Sequence, residues 1–154
     1  MGEETKDLAA NLFNGVWDLL EKENRTEDED FLMVHQAHAS LYHWLVIGNP
    51  SNIYNGEWQI SRVYATLNNF ESCLYHALRA LKICEENKLT DFELAYAYEA
   101  LTRAYVMKGN KSECSKYLEL ALREAGKVLD AGSKDLIMDD LEELQGKIKI
   151  QFMN

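Results

Sequence analysis

One proline, three cysteines, no apolar run of membrane length and a shortage of basic charge are what the sequence first lacks. With Pro50 alone and no sustained two-residue alternation, nothing interrupts long helices and nothing points to a sheet. Cys73, Cys84 and Cys114 make an odd count without CxxC or CxxH spacing, so neither a disulfide framework nor a zinc knuckle is indicated. Cys73 and Cys84 fall on one expected helix, about 16 Å apart, and cannot bond to each other. All three read as small apolar packing residues. No stretch approaches the roughly 20 apolar residues of a membrane span. The acidic start MGEETKD does not have the basic-then-apolar layout of a signal peptide, and a cytoplasmic protein is the expectation.

The formal charge is −10, and it is unevenly placed. Residues 1–50 hold 10 acids against 3 bases and residues 129–154 hold 6 against 3, whereas residues 51–128 hold 10 of each. A chain of this balance repels phosphate backbones and anionic lipid, so neither nucleic acid nor membrane is expected as a partner. Also missing are a glycine-rich phosphate loop, a GxSxG elbow, an HExxH pair and two inward ExxH segments. No catalytic residue, metal or cofactor is assigned, and an enzyme is not expected.

What is present is an ordinary globular balance, 47% hydrophobic and 27% charged over 154 residues, enough for one domain spanning residues 1–154 with its own core. Apolar spacing and stop signals divide it into about seven helices, an all-α fold of antiparallel hairpins. The hairpins cover about 4–48, 52–87 and 91–129, and a last helix, about 134–152, serves as a cap. Thr26 with Glu29 and Thr90 with Glu93 have capping-box spacing at two helix starts.

A shift of 41 residues aligns RVYATLNNFESCLYHALRAL with RAYVMKGNKSECSKYLELAL. Arg62 meets Arg103, Tyr64 meets Tyr105, Asn69 meets Asn110, Cys73 meets Cys114, Ala80 meets Ala121 and Leu81 meets Leu122, without a gap. Each copy reads as a helix, a tight Asn-containing turn and a second helix with small residues on one side. Stacking such hairpins buries a face that one hairpin cannot bury alone.

These copies resemble the tetratricopeptide repeat, whose skeleton is Trp, Leu, Gly, Tyr, then Ala, Phe and Pro. The places fall on Glu57, Ile60, Ser61, Tyr64, Cys73, Ala77 and Glu85 in one copy, with Ala80 on a later small position. In the other they fall on Tyr98, Leu101, Thr102, Tyr105, Cys114, Leu118 and Gly126, with Ala121. The size pattern is kept, while the signature Trp, Gly and Pro are absent and the spacing exceeds the usual period of about 34. AHASLYHW, GEWQISRVY and FELAYAYEALTRAY are also similar to segments of an uncharacterised bacterial family of this helical type. The resemblance implies a right-handed superhelical array and a protein-binding adaptor. The first helix of each hairpin would line a concave groove, bringing Asn55, Trp58 and Arg62 together with Tyr96, Glu99 and Arg103. Two guanidiniums flanked by Trp58 and Tyr96 would clamp a carboxylate or an acidic peptide. Glu99 and Arg103, four residues apart, would alternatively pair with each other. The implied partner is another protein or peptide, and a homo-oligomer is compatible with the same surface.

The segment HQAHASLYHW raises a second possibility, a small-ligand or metal-sensing pocket using His38, His43, Trp44 and Glu57. On a helical wheel His35, His38 and His43 span about 140°, so at most His35, His38 and a carboxylate such as Glu57 could share an ion. The competing expectation is packing, with Phe31, His35, His38, Tyr42 and Leu45 as a core stripe and with His43 and Trp44 against Gly56–Trp58.

Overall fold

A computed structural model describes residues 2–153, and these form seven α-helices and no strand. They are α1 (Gly2–Leu20), α2 (Glu27–Ile47), α3 (Pro50–Thr66), α4 (Phe70–Asn87), α5 (Phe92–Lys108), α6 (Lys111–Gly126) and α7 (Ala131–Gln151). Their ends are set by residues that satisfy otherwise orphaned backbone groups. Thr26 and Glu29 form a reciprocal capping box before α2, with both hydrogen bonds at 3.1 Å. Gly48, at φ 81°, ends α2 in the left-handed conformation, and Asn49 with Pro50 at once opens α3. The box expected at Thr90 and Glu93 does not form. The cap of α5 is Asp91, whose side chain makes no capping bond.

The turns α3–α4 and α5–α6 superimpose in detail on the 41-residue repeat. Asn68 (φ 59°) matches Gly109 (φ 72°), both left-handed. Asn69 then accepts a bond from the Ser72 amide and Asn110 one from the Glu113 amide, each at 3.1 Å.

α1, α3, α5 and α7 lie side by side in one layer, each touching the next. α2, α4 and α6 form the second layer, each wedged over two first-layer helices: α2 over α1 and α3, α4 over α3 and α5, α6 over α5 and α7. The core fills the seam between layers. Val16, Met33, Leu41, Ile60 and Val63 close its first third. Beyond them, Ala77, Ala80, Ala97, Ala100, Ala121 and Ala125 let helices approach closely. Gly56 is the tightest of these contacts: a Cβ there would lie 2.9 Å from Leu41 Cδ1 and 3.3 Å from its Cα. Cys73, Cys84 and Cys114 are buried as free thiols, and burial pushes the Cys84 thiol up to about 12.

One expectation is reversed. The stripe Phe31, His35, His38, Tyr42, Leu45 faces outward, with Phe31 67% and Tyr42 62% exposed. The buried side of α2 is instead Met33, Ala37, Ser40, Leu41 and Trp44. Residues 31–47 include no charged side chain, so both sides of α2 have core spacing and periodicity could not choose between them.

Candidate functional site

The first layer carries an aromatic ladder that crosses three helices. Phe13 and Trp17 of α1 meet edge-on at 6.4 Å between centroids, Trp17 packs on Trp58 of α3 at 5.8 Å, and Trp58 meets Tyr96 of α5 edge-on at 5.4 Å. Tyr96 then donates its hydroxyl to Asp140 Oδ2 of α7 at 3.1 Å. These residues, with Tyr54, Asn55 and Phe92, line a cleft of about 360 Å³. Tyr54 is locked at its back, its hydroxyl donating to the Glu93 carbonyl at 2.7 Å. Trp17, Trp58 and Tyr96 remain half-buried, so their ring faces are shared between the cleft and the core. Burial and the neighbouring Asp140 hold the Tyr96 phenol well above its ordinary pKa.

One and two turns further along α3 and α5 the lining becomes charged. Arg62, Arg103 and Lys147 surround a second hollow of about 190 Å³, together with Thr66, Val106 and Leu144. Arg62 and Arg103 therefore face the same space, as their repeat equivalence requires. Their partners differ. Glu99, fully buried, accepts from Arg103 Nε at 2.9 Å and from its terminal nitrogen at 2.5 Å, both through Oε1. Its other oxygen, Oε2, has no hydrogen-bond partner among the described residues. Burial alone would lower the Arg103 pKa, but the charge and hydrogen bonds of Glu99 reverse this and raise it. Arg62 makes no side-chain hydrogen bond or ion pair among the described residues. Burial, then repulsion from Arg103, lowers its pKa. A guanidinium in that position is ready to receive an anionic group.

All six groove residues expected from the repeat thus lie on the first layer, in two adjoining parts. Asn55, Trp58 and Tyr96 line the aromatic cleft, while Arg62 and Arg103 line the cationic hollow. Glu99 sits at their junction with Trp58 and Arg62. Sequence reasoning missed Phe13, Trp17, Asp140 and Lys147, because the end helices lie outside the repeat and have no register partner. Trp17, next to the apolar stripe of α1, was the one visible signal.

The alternative pocket is only partly assembled. His38 and Glu57 do belong to one cluster, where α2, α3 and α4 meet, joined by a residue the sequence did not single out, His76 of α4. Its Nδ1 bonds Glu57 Oε2 at 2.6 Å, and Arg79 reaches Glu57 Oε1 at 3.4 Å. His38 Nε2 bonds the Tyr64 hydroxyl at 2.9 Å and its ring lies 5.5 Å from His76. His43 is elsewhere, edge-on to Tyr42, and Trp44 is buried in the core. His35 is turned back on its own helix, its Nδ1 bonded to the Phe31 carbonyl at 2.9 Å. Among the described residues no three His, Cys, Asp or Glu side chains are grouped so as to hold a metal ion. No described helix is long and apolar enough to cross a membrane.

No protein-family model, curated protein or solved structure matches the chain.

Proposed function

We propose that the chain is a divergent tetratricopeptide-type adaptor, a right-handed array of long repeats capped by α7, which binds an extended segment of another protein along its first layer. The observation that carries this reading is the half-buried ladder Trp17–Trp58–Tyr96, which lines a 360 Å³ cleft next to Arg62, a guanidinium with no hydrogen bond or ion pair among the described residues. Clefts of roughly 300 Å³ and above, aromatic and edged by a few fixed polar groups, are the usual form of a recognition site. Rigid aromatic anchors supply contact area at low entropic cost, and Arg62 supplies direction. The preferred segment has an apolar side chain for the cleft and a carboxylate about one to two helical turns away for Arg62. No catalytic step is assigned to these residues.

A displayed peptide library panned on the purified protein tests this. Enriched sequences should pair an apolar anchor with an acidic group, and their binding should be readable in the fluorescence of Trp17 and Trp58. Trp58→Ala should weaken the best peptide by about tenfold or more. Arg62→Glu should leave helicity unchanged and abolish the preference for acid. No enrichment, or full affinity in the Trp58 variant, would refute the reading.

A further inference from the structure

Helix α2 is the unresolved tension in the fold. A helix that is apolar all round is ordinarily enclosed, yet α2 packs along its length on α1 and α3 only, and α4 reaches it just at the His38–His76 contact. Its outer face presents Phe31, His35, His38, Tyr42 and Leu45 at alternating spacings of four and three, widened by Leu32 and Val46. That spacing is the seam of a paired helix. We propose that this face is covered by the same face of a second copy, in an antiparallel pair whose dyad lies near His38 and Ala39.

Charge selects this occupant and this direction. The chain carries −10, so two copies approach with least repulsion where neither has a charge, and residues 31–47 are such a place. The first turn of α2 holds Glu27, Asp28, Glu29 and Asp30. A parallel pair would crowd both sets of acids together, whereas the antiparallel pair separates them by about 30 Å, beyond the screening length of roughly 8–10 Å. In that register His35 of each copy faces Tyr42 of the other, and Phe31 faces Val46. Phe31, Tyr42, Leu45 and Val46 keep 49–67% of their surface exposed. With Leu32, Ala39 and the imidazoles they offer roughly 600 Å² per copy, the lower end for a specific interface. An interface of that size gives a weak, reversible dimer that depends on protein concentration. The face lies on the second layer, so the pair leaves the aromatic cleft open and stands or falls independently of it.

Sedimentation equilibrium on the full chain from about 1 to 200 µM should show monomer giving way to dimer. Phe31→Glu with Tyr42→Glu, both exposed, should remain monomeric with unchanged helicity. Register is read by oxidation of His35→Cys/Tyr42→Cys, whose cysteines are about 10 Å apart within one chain and cannot close on themselves. The double variant should yield a covalent dimer and neither single variant should. A wild type that stays monomeric throughout, or a glutamate variant that still dimerises, overturns the proposal. Cross-linking by a single variant overturns the antiparallel register.

Discussion

The two repeat-related hairpins, α3–α4 and α5–α6, share one backbone design and fill it with different chemistry. Tyr64 stacks on His76 with centroids 5.8 Å apart, and 41 residues later Tyr105 stacks on Tyr117 at the same distance. Below each stack the first hairpin buries a carboxylate, Glu57 on His76, where the second has Tyr98 against Tyr117 at 6.3 Å. On the opposite side the relation inverts: the first hairpin places Trp58 where the second buries Glu99. The polar burden of each unit is therefore carried once, on alternate sides of the seam. A repeat thus fixes side-chain direction at each position, while size varies, as between Trp58 and Glu99. It does not fix polarity, which is free to serve either stability or recognition.

The arginines give that comparison its largest test. Arg103 and Glu99 are buried together, and removing one partner strands a charge, which costs about 3–5 kcal/mol. Arg62 stands at the equivalent place with no hydrogen-bonded carboxylate among the described residues. Arg103→Met should accordingly lower unfolding stability by about 3–5 kcal/mol in a urea titration, while Arg62→Met should change it by less than about 1 kcal/mol. Equal losses would show that the two positions do the same work. The same asymmetry makes Arg62, rather than the Arg62/Arg103 pair, the clean probe of ligand binding.

Gly56 and Ala97 sharpen the comparison at the helix–helix contact. They are repeat-equivalent, and the second hairpin accepts a Cβ that the first excludes against Leu41. Gly56→Ala is expected to cost about 1–3 kcal/mol by overpacking, despite the better helix propensity of alanine. Leu41→Ala removes a core side chain and carries its own cost of about 2–5 kcal/mol, but combined with Gly56→Ala the total should fall short of the sum, the shortfall being the recovered clash. Recovery is absent if α2 and α3 simply move apart, and a thermal melt of the single and double variants separates the two cases.

Which parts of this were legible in the sequence follows from the period. Residues 52–126 carry two registers of the same pattern, so Tyr64 and Tyr105, the Asn69 and Asn110 caps, and the shared direction of Arg62 and Arg103 could be read by superposition. α1, α2 and α7 have no such mate. On α2 both faces are apolar, so periodicity points to the outer stripe as readily as to the buried one, and Asp140 and Lys147 stand in a helix with no repeat mate to give them a register. His76 went unnoticed for a different reason: its repeat mate is Tyr117, and only contact geometry shows the imidazole holding Glu57. Thr90 and Glu93 do not form the expected box because α5 starts one residue later, with Asp91 at its cap, so matching spacing alone does not place the cap.

The smallest difference is electrostatic and sits in the two stacks. The first contains imidazoles, His76 with His38 leaning on it, and the second contains only phenols, so a histidine response is available to the first alone, at His38. Partial burial, followed by repulsion from His76, lowers the His38 pKa below 6.5, while Glu57 acts against this and His35 with it. A lowered imidazole pKa means that the folded chain binds fewer protons than the unfolded one, so stability rises with pH through that window. The contribution of His38 is complete above about pH 6.5 and is lost as pH falls through its folded value. His38 is exposed, and solvent screening keeps the effect slight. Urea midpoints of the wild type and His38→Gln, compared between about pH 7 and pH 5, should therefore differ in slope, with the wild type losing more stability on acidification. Parallel slopes would mean that the imidazole keeps its solution pKa in the fold and that the two stacks are electrostatically alike.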